Sequence, residues 1–323
     1  MRASTKLAAP DALAGARCAW QRLRPDGPEP EAIQLLVRKE KTTVCRLVGS
    51  AAAGYPVIAK RTRGRIAAVE RNVYERILPR VPLTFPRWYG SVDDAPSEFC
   101  WLFLEDDAGD SAFSPDNRVH RALAACWVAV LHAVGAHVQG VAGLRQRGAC
   151  EALERLRTTR ERILGQLGDG GRSAREREAL GAILTSFDVI EGRWEECAAI
   201  CDEVPRTLVH GDFTKRNLRV RPRSEATELL VLDWEHAGFG FPGADLLVVD
   251  PVCYARAIGE HGCRLDAGRL ARVVRIGRLF RCLAEVDWES RWLAFPPLVD
   301  HGDSLGRHAS RLGSVAREAG WAS

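Results

Sequence analysis

Apolar and polar positions follow two different periods along this chain. From Ile33 the pattern is strand-like: apolar-rich runs at 33–37 and 44–48 flank the polar stretch 38–43, which predicts a hairpin. A turn across 49–56 then leads into Val57-Ile58-Ala59-Lys60. Residues 69–78 repeat at helical spacing until Pro79 breaks the pattern. The run 99–104 (Phe-Cys-Trp-Leu-Phe-Leu) is short, apolar throughout and bounded by polar residues, as a buried strand is. From Ser114 onward helical patterns dominate. Strands with one helix, then helices, predict an α+β chain of two lobes. The small β-rich lobe, with the linker between lobes, is expected over 31–106 and the larger, mainly helical lobe over 107–323. Residues 1–30, rich in Ala, Arg and Pro, read as an irregular or partly helical extension.

Length and composition agree with two cores. A chain of 323 residues has room for both, and 46% hydrophobic with 27% charged residues describes a globular protein rather than a disordered one. The net charge of +4 is small for this length, and the Arg residues are interleaved with Glu and Asp along helical segments. No concentrated basic stripe marks a nucleic-acid partner. The ten cysteines contain no C-x-x-C pair; Cys197 and Cys201 are four apart without further ligands at metal spacing. They read as thiols of a reducing cytoplasm. Lys6, Asp11 and Arg17 interrupt the first twenty residues, so no signal-peptide core is expected there.

Residues 122–144 carry no formal charge, a length that can span a bilayer. His132, His137 and Gln139 interrupt the run together with Gly135, Gly140 and Gly143. A helix buried inside the large lobe is expected instead of a membrane span.

The chemistry concentrates at His210–Asn217, H-G-D-F-T-K-R-N, and at Asp233-Trp234-Glu235. Asn217 follows Asp212 by five residues and Asp233 follows it by twenty-one. Moving a phosphoryl group from a nucleotide to an alcohol needs a carboxylate to orient the hydroxyl and accept its proton. It also needs an amide oxygen and a second carboxylate to hold magnesium on the phosphates. Protein kinases use the same order, H-R-D-x-x-x-x-N and then D-F-G. Here Gly211 stands in the place of the Arg, and Trp234-Glu235 follows the second Asp. A second H-G-D at His301-Gly302-Asp303 has His308, not Asn, five residues on, and no D-W after it.

The variant motif resembles the aminoglycoside phosphotransferase and choline kinase family of small-molecule kinases, over roughly 33–250. The resemblance implies a protein kinase-like two-lobe fold with ATP, or alternatively GTP, and Mg2+ as cofactors. Asp212 would be the catalytic base, with Asn217 and Asp233 as metal ligands. Lys60, at the end of an apolar strand, would pair with the α- and β-phosphates and be held by Glu70, four residues before Tyr74; Glu75 is the alternative. The 38–43 turn, with Thr42 or Thr43, would approach the phosphates, and Leu104-Glu105-Asp106 would form the linker that binds adenine. Asp245 matches a downstream Asp that accepts backbone N–H groups of the catalytic loop. Lys215 and Arg216 are open between reaching the γ-phosphoryl group and being solvated.

The partner implied is a small hydroxylated acceptor: an aminoglycoside-like antibiotic, an amino alcohol or a sugar metabolite. The tail 251–323 carries eleven Arg against eight Asp plus Glu, which gives polycationic acceptors no support. The alternative is a catalytically silent nucleotide-binding scaffold. A protein kinase is disfavoured, since no A-P-E motif or activation segment follows Asp233.

Overall fold

The computed structural model describes residues 9–50, 56–107, 110–138, 143–167, 172–222, 227–294 and 301–322. Helix α1 (Ala9–Leu23) precedes five strands and one helix: β1 (Ala32–Arg38), β2 (Thr42–Val48), β3 (Val57–Arg63), α2 (Gly64–Asn72), β4 (Trp88–Asp94) and β5 (Phe99–Glu105). The strands form one antiparallel sheet in the order β1-β2-β3-β5-β4. The expected hairpin is the β1–β2 pair, with Arg38 opposite Thr43. Most of the expected 49–56 turn lies outside the described residues.

Strand alternation divides the sheet between two tasks. Cys45, Leu47, Val57, Ala59, Trp101 and Phe103 point to one face and pack on Ala16, Ala19 and Trp20 of α1. The segment expected to be an irregular or partly helical extension therefore takes the helical form over Ala9–Leu23 and covers this face. Its small Ala residues at helical spacing let helix and sheet approach closely, and Trp20 fills the remaining space. On the opposite face, Cys100 and Leu102 pack on Ala67 of α2. With a helix on each side, β5 is buried along 99–104, which explains its unbroken apolar run. Helical structure continues past α2 through a π-helical turn, Val73–Ile77, and a 3-10 turn, Leu78–Arg80. It thus begins five residues earlier than the periodicity indicates.

The large lobe begins with β6 (Ser111–Ala112) and α3 (Arg118–Gly135), whose Asn117 cap accepts from the N–H groups of Val119 and His120. Ala124, Trp127, Val128 and Leu131 make α3 a core helix. Among the described residues, no helix is long and apolar enough to cross a membrane. After β7 (Arg145–Arg147), α4 (Ala149–Leu167), α5 (Ala174–Glu191) and α6 (Trp194–Asp202) come β8 (Thr207–Val209), β9 (Leu218–Pro222), β10 (Thr227–Val231) and β11 (Gly238–Gly240). These form two small sheets, β10-β9-β6 and β7-β11-β8, that carry the loops of interest. Helices α7 (Pro251–Glu260), α8 (Ala267–Ser290) and α9 (Gly302–Glu318) complete the lobe.

The linker is clasped by charge. Arg221 of β9 pairs with Glu105 at 2.8 Å and with Asp110 at 2.9 Å, and Arg219 pairs with Asp107 at 2.5 Å. Arg221 is almost fully buried, so these charge-assisted bonds lie in a medium that screens them little.

Candidate active site

Strand β8 is buried along its length and delivers His210–Asn217 to the cleft between the lobes. Asp245 anchors the loop's backbone: its two carboxylate oxygens accept from His210 N at 2.6 Å and Gly211 N at 3.0 Å. The His210 ring spans the loop, with Nε2 2.9 Å from the Leu232 carbonyl and Nδ1 accepting from Asp212 N at 3.2 Å. Only the tautomer with its proton on Nε2 satisfies both bonds. Trp234 is fully buried with its ring centroid 4.7 Å from that of His210. Gly211 has φ +77°, and a Cβ there would lie 2.3 Å from the His236 carbonyl oxygen. Glycine is required at this position.

This frame fixes Asp212 and Asn217 together. Asn217 Nδ2 donates to the Asp212 carbonyl and to Asp212 Oδ2, both at 2.9 Å. The Asn217 amide oxygen is thereby left for a cation, and Asp212 is held beside it. Its other carboxylate oxygen, Oδ1, lies 2.5 Å from Arg281 Nη1 on α8.

Across the cleft, Lys60 Nζ lies 2.6 Å from Glu70 Oε1, 2.5 Å from Asp233 Oδ1 and 3.9 Å from Glu235. Lys60 is the middle residue of β3, which continues to Arg63 rather than ending at Lys60 as expected, and it is nearly buried, which rules out a lysine with its head in water. Glu75 instead accepts from the Trp88 indole at 3.2 Å and stays away from Lys60. Asp233 has left-handed backbone, φ 64° and ψ 67°, a conformation Asp tolerates better than most residues. It turns the carboxylate toward Lys60.

Burial by itself would lower the Lys60 pKa, but Glu70, Asp233 and Glu235 outweigh it and the ammonium is held more tightly than usual. Burial and the negative charges of Asp233 and Glu235 push Glu70 up to about 7 in spite of Lys60. Burial acts the same way on Asp233, yet Lys60 prevails and lowers it. Glu235 is raised by burial and by Asp233. Glu70 and Glu235 are thus the carboxylates that lose their charge most readily. Burial drops His236 to about 4, so its imidazole is neutral across the physiological range.

Carboxylate oxygens of Glu70, Asp233 and Glu235 lie within 4.8 Å of one another, and Glu70 Oε2 is buried without a hydrogen bond. Hard oxygen donors in this arrangement, with the Asn217 amide oxygen, fit magnesium. Beside them a cleft of about 380 Å³ is lined by Leu36, Thr42, Val44, Ile58, Leu104 and Lys60, among others. Its apolar walls suit a purine and its charged end suits phosphates.

Thr42 lines this cleft, whereas Thr43 is buried on the α1 face of the sheet. Lys215 and Arg216 are solvent-exposed. The Asp106 carboxylate is buried and paired with Arg46. At the second H-G-D, Asp303 is exposed and paired with Arg175, while His301 bonds Glu289. Sequence reasoning missed Lys39 and Arg219, which line the cleft, Glu235 beside Asp233, and Arg281. Only Glu235 left a signal, its adjacency to Asp233.

The sequence profile of the phosphotransferase enzyme family matches residues 61–272. Among curated proteins no sequence match is found. Solved structures similar to the chain include the GDP complex of wild-type aminoglycoside 2'-phosphotransferase-IIIa, with 12% identity and TM-score 0.64, covering 95% of this chain and 99% of that one. Spectinomycin phosphotransferase with ADP and spectinomycin has 9% identity and TM-score 0.61, covering 96% and 99%. A choline/ethanolamine kinase family protein from Mesorhizobium loti has 18% identity and TM-score 0.60, covering 95% and 94%. At these identities the likeness establishes the two-lobe, kinase-like fold. The profile match extends over most of the chain and includes both loops, and on that ground the chain belongs to the phosphotransferase enzyme family, whose members transfer phosphoryl groups to hydroxyls of small molecules.

Proposed function

We propose that this protein transfers the γ-phosphoryl group of ATP, or alternatively GTP, to a hydroxyl of a small molecule. The observation that carries the reading is the placement of Asp212, fixed by Asn217, opposite the Lys60–Glu70–Asp233 cluster. Lys60 would move from Asp233 to the α- and β-phosphates while Glu70 keeps its ammonium in place. Asp233 and the Asn217 amide oxygen would hold Mg2+, which supplies charge neutralisation on the phosphates when bound. Asp212 orients the acceptor hydroxyl and takes its proton as the new O–P bond forms and the bond from Pγ to the β-phosphate oxygen breaks. The nucleoside diphosphate then leaves. In a loose transition state positioning and charge dominate, so Asp212 need not be an unusually strong base.

Single-turnover assays of the purified protein with magnesium and nucleotide, across sugars, amino alcohols and aminoglycosides, test this. Acceptor-dependent phosphoryl transfer is expected. A protein that binds the magnesium–nucleotide complex yet turns over no acceptor and hydrolyses none would be the silent scaffold instead.

A further inference from the structure

We propose that Arg281 selects acceptors whose reacting hydroxyl is flanked by an oxygen function, as in a sugar, polyol or hydroxy acid, and rejects those with an ammonium there. The inference rests on the phosphotransferase reading and names the acceptor class of that same site.

Arg281 reaches Asp212 from α8, contributing Nη1 to Asp212 Oδ1 at 2.5 Å and Nε to Glu285 at 2.9 Å. Its guanidinium carbon lies 5.0 Å from the Trp288 ring centroid. These contacts hold the guanidinium in one orientation. Each Asp212 oxygen already accepts one bond, Oδ2 from Asn217 and Oδ1 from Arg281, and a hydroxyl that donates to the remaining lone pair of Oδ1 settles beside the guanidinium. Its neighbouring substituent then meets Nη2, which has no partner among the described residues. A guanidinium has donors and no acceptor. An adjacent hydroxyl, ether or carboxylate oxygen accepts from it, whereas an ammonium faces it with like charge and no possible bond.

The carboxylates of the same wall offer an ammonium no refuge. Glu285 is taken by Arg281 and by Arg311 at 2.6 Å, Glu289 by His301 at 2.9 Å, and Glu151 by Arg147 and Arg155. A wall built to gather polycations needs uncommitted acids, and these are committed. Beside Arg281, the rings of His236 and Trp288 lie 5.4 Å apart at 31°, an aromatic surface for the carbon face of a ring-shaped acceptor.

The test uses the full-length protein and acceptors paired by the group next to the hydroxyl: glucose with glucosamine, glycerate with serine, ethylene glycol with ethanolamine. Acceptor-dependent turnover is read at saturating magnesium–nucleotide, and binding is read by calorimetry on the ADP–magnesium complex. Within pairs that respond, the oxygen-flanked member should be favoured by about tenfold or more, given the cost of like-charge contact. Arg281→Lys should keep the preference, and Arg281→Gln should shrink it to about threefold or less. A wild-type preference for the amino members overturns the inference, whether or not any variant folds. So does a preference that persists in Arg281→Gln with an unchanged unfolding midpoint, or an absence of binding by every oxygen-flanked compound. Preferential binding of the oxygen-flanked compounds without turnover supports the selectivity and refutes the phosphotransferase reading.

Discussion

Lys60 Nζ stands 2.5 Å from Asp233 Oδ1, an ion pair between residues 173 positions apart that joins the two lobes across the cleft. Asp233→Ala should remove the carboxylate proposed to hold Mg2+ and at the same time release Lys60 for phosphate. Magnesium-dependent nucleotide binding and turnover are therefore expected to fall together, while binding of metal-free nucleotide holds or improves. Calorimetric titrations with magnesium and with chelator measure both. Equal magnesium dependence in variant and wild type would remove Asp233 from the metal site.

Asp212 should fail differently. It touches Asn217 and Arg281 and none of the Lys60 cluster, so Asp212→Ala should leave nucleotide binding nearly intact. Turnover should fall by about 10²–10⁴, the usual contribution of a positioned acid–base group. Asp303, exposed and paired with Arg175, is the internal control. Its replacement by Ala should leave turnover within about threefold, since surface pairs contribute little. Loss of activity in a folded Asp303→Ala protein, with Asp212→Ala active, would relocate the active site.

Asp245→Ala should act through the loop's backbone. It strands the N–H groups of the buried His210 and the half-buried Gly211, which now meet carboxylate oxygens at 2.6 and 3.0 Å. The expected loss is about 2–5 kcal/mol, read as a lower denaturant midpoint, because each orphaned donor loses its hydration without a replacement. A variant of unchanged midpoint would show that the loop is held by other means.

Glu70 predicts a pH dependence. Its pKa of about 7 in the folded chain exceeds the ordinary 4.5, so the native state keeps this proton where the unfolded chain has lost it. The group therefore favours the fold at low pH, and that contribution is lost as pH rises from about 4.5 through about 7. Glu70→Gln cannot ionise, so its stability relative to wild type should improve over that window by about 1–3 kcal/mol. Nucleotide affinity should show the opposite trend. Above pH 7 the ionised Glu70 holds Lys60 firmly, so wild-type affinity should rise through pH 7 and that of Glu70→Gln should stay flat. His236, at about 4, cannot supply a step in that range. An affinity step that survives in Glu70→Gln would assign the titration to another group.

What the sequence revealed follows from how each feature is encoded. Asp212, Asn217 and Asp233 lie on a short loop and a nearby strand end, so their spacing survives as a linear pattern. Lys60 and Glu70, ten residues apart on neighbouring elements, were legible only through the family resemblance, which left Glu75 open as the partner. Arg281 was not. It is one of eleven arginines in the tail, and only the path of α8 past the catalytic loop brings it to Asp212. Lys39 lies within the 38–43 turn that was expected near the phosphates, but no pattern singled it out among that turn's polar residues. Helix α1 was legible only as a partly helical extension because Ala12, Ala16 and Ala19 bury little apolar area each, so their periodicity is faint beside that of leucine-rich helices.

The close approach at Gly211 sets which mutational paths are open to this loop. Any side chain there collides with the carbonyl of His236, and Arg147 Nη2 grips that same oxygen at 2.8 Å, so the carbonyl cannot simply swing aside. An arginine at 211, as in the protein kinase signature, would require the chain around 236 to be rebuilt beforehand. Single-residue drift cannot interconvert the two signatures, and the barrier that separates them lies in the main chain of a neighbouring segment.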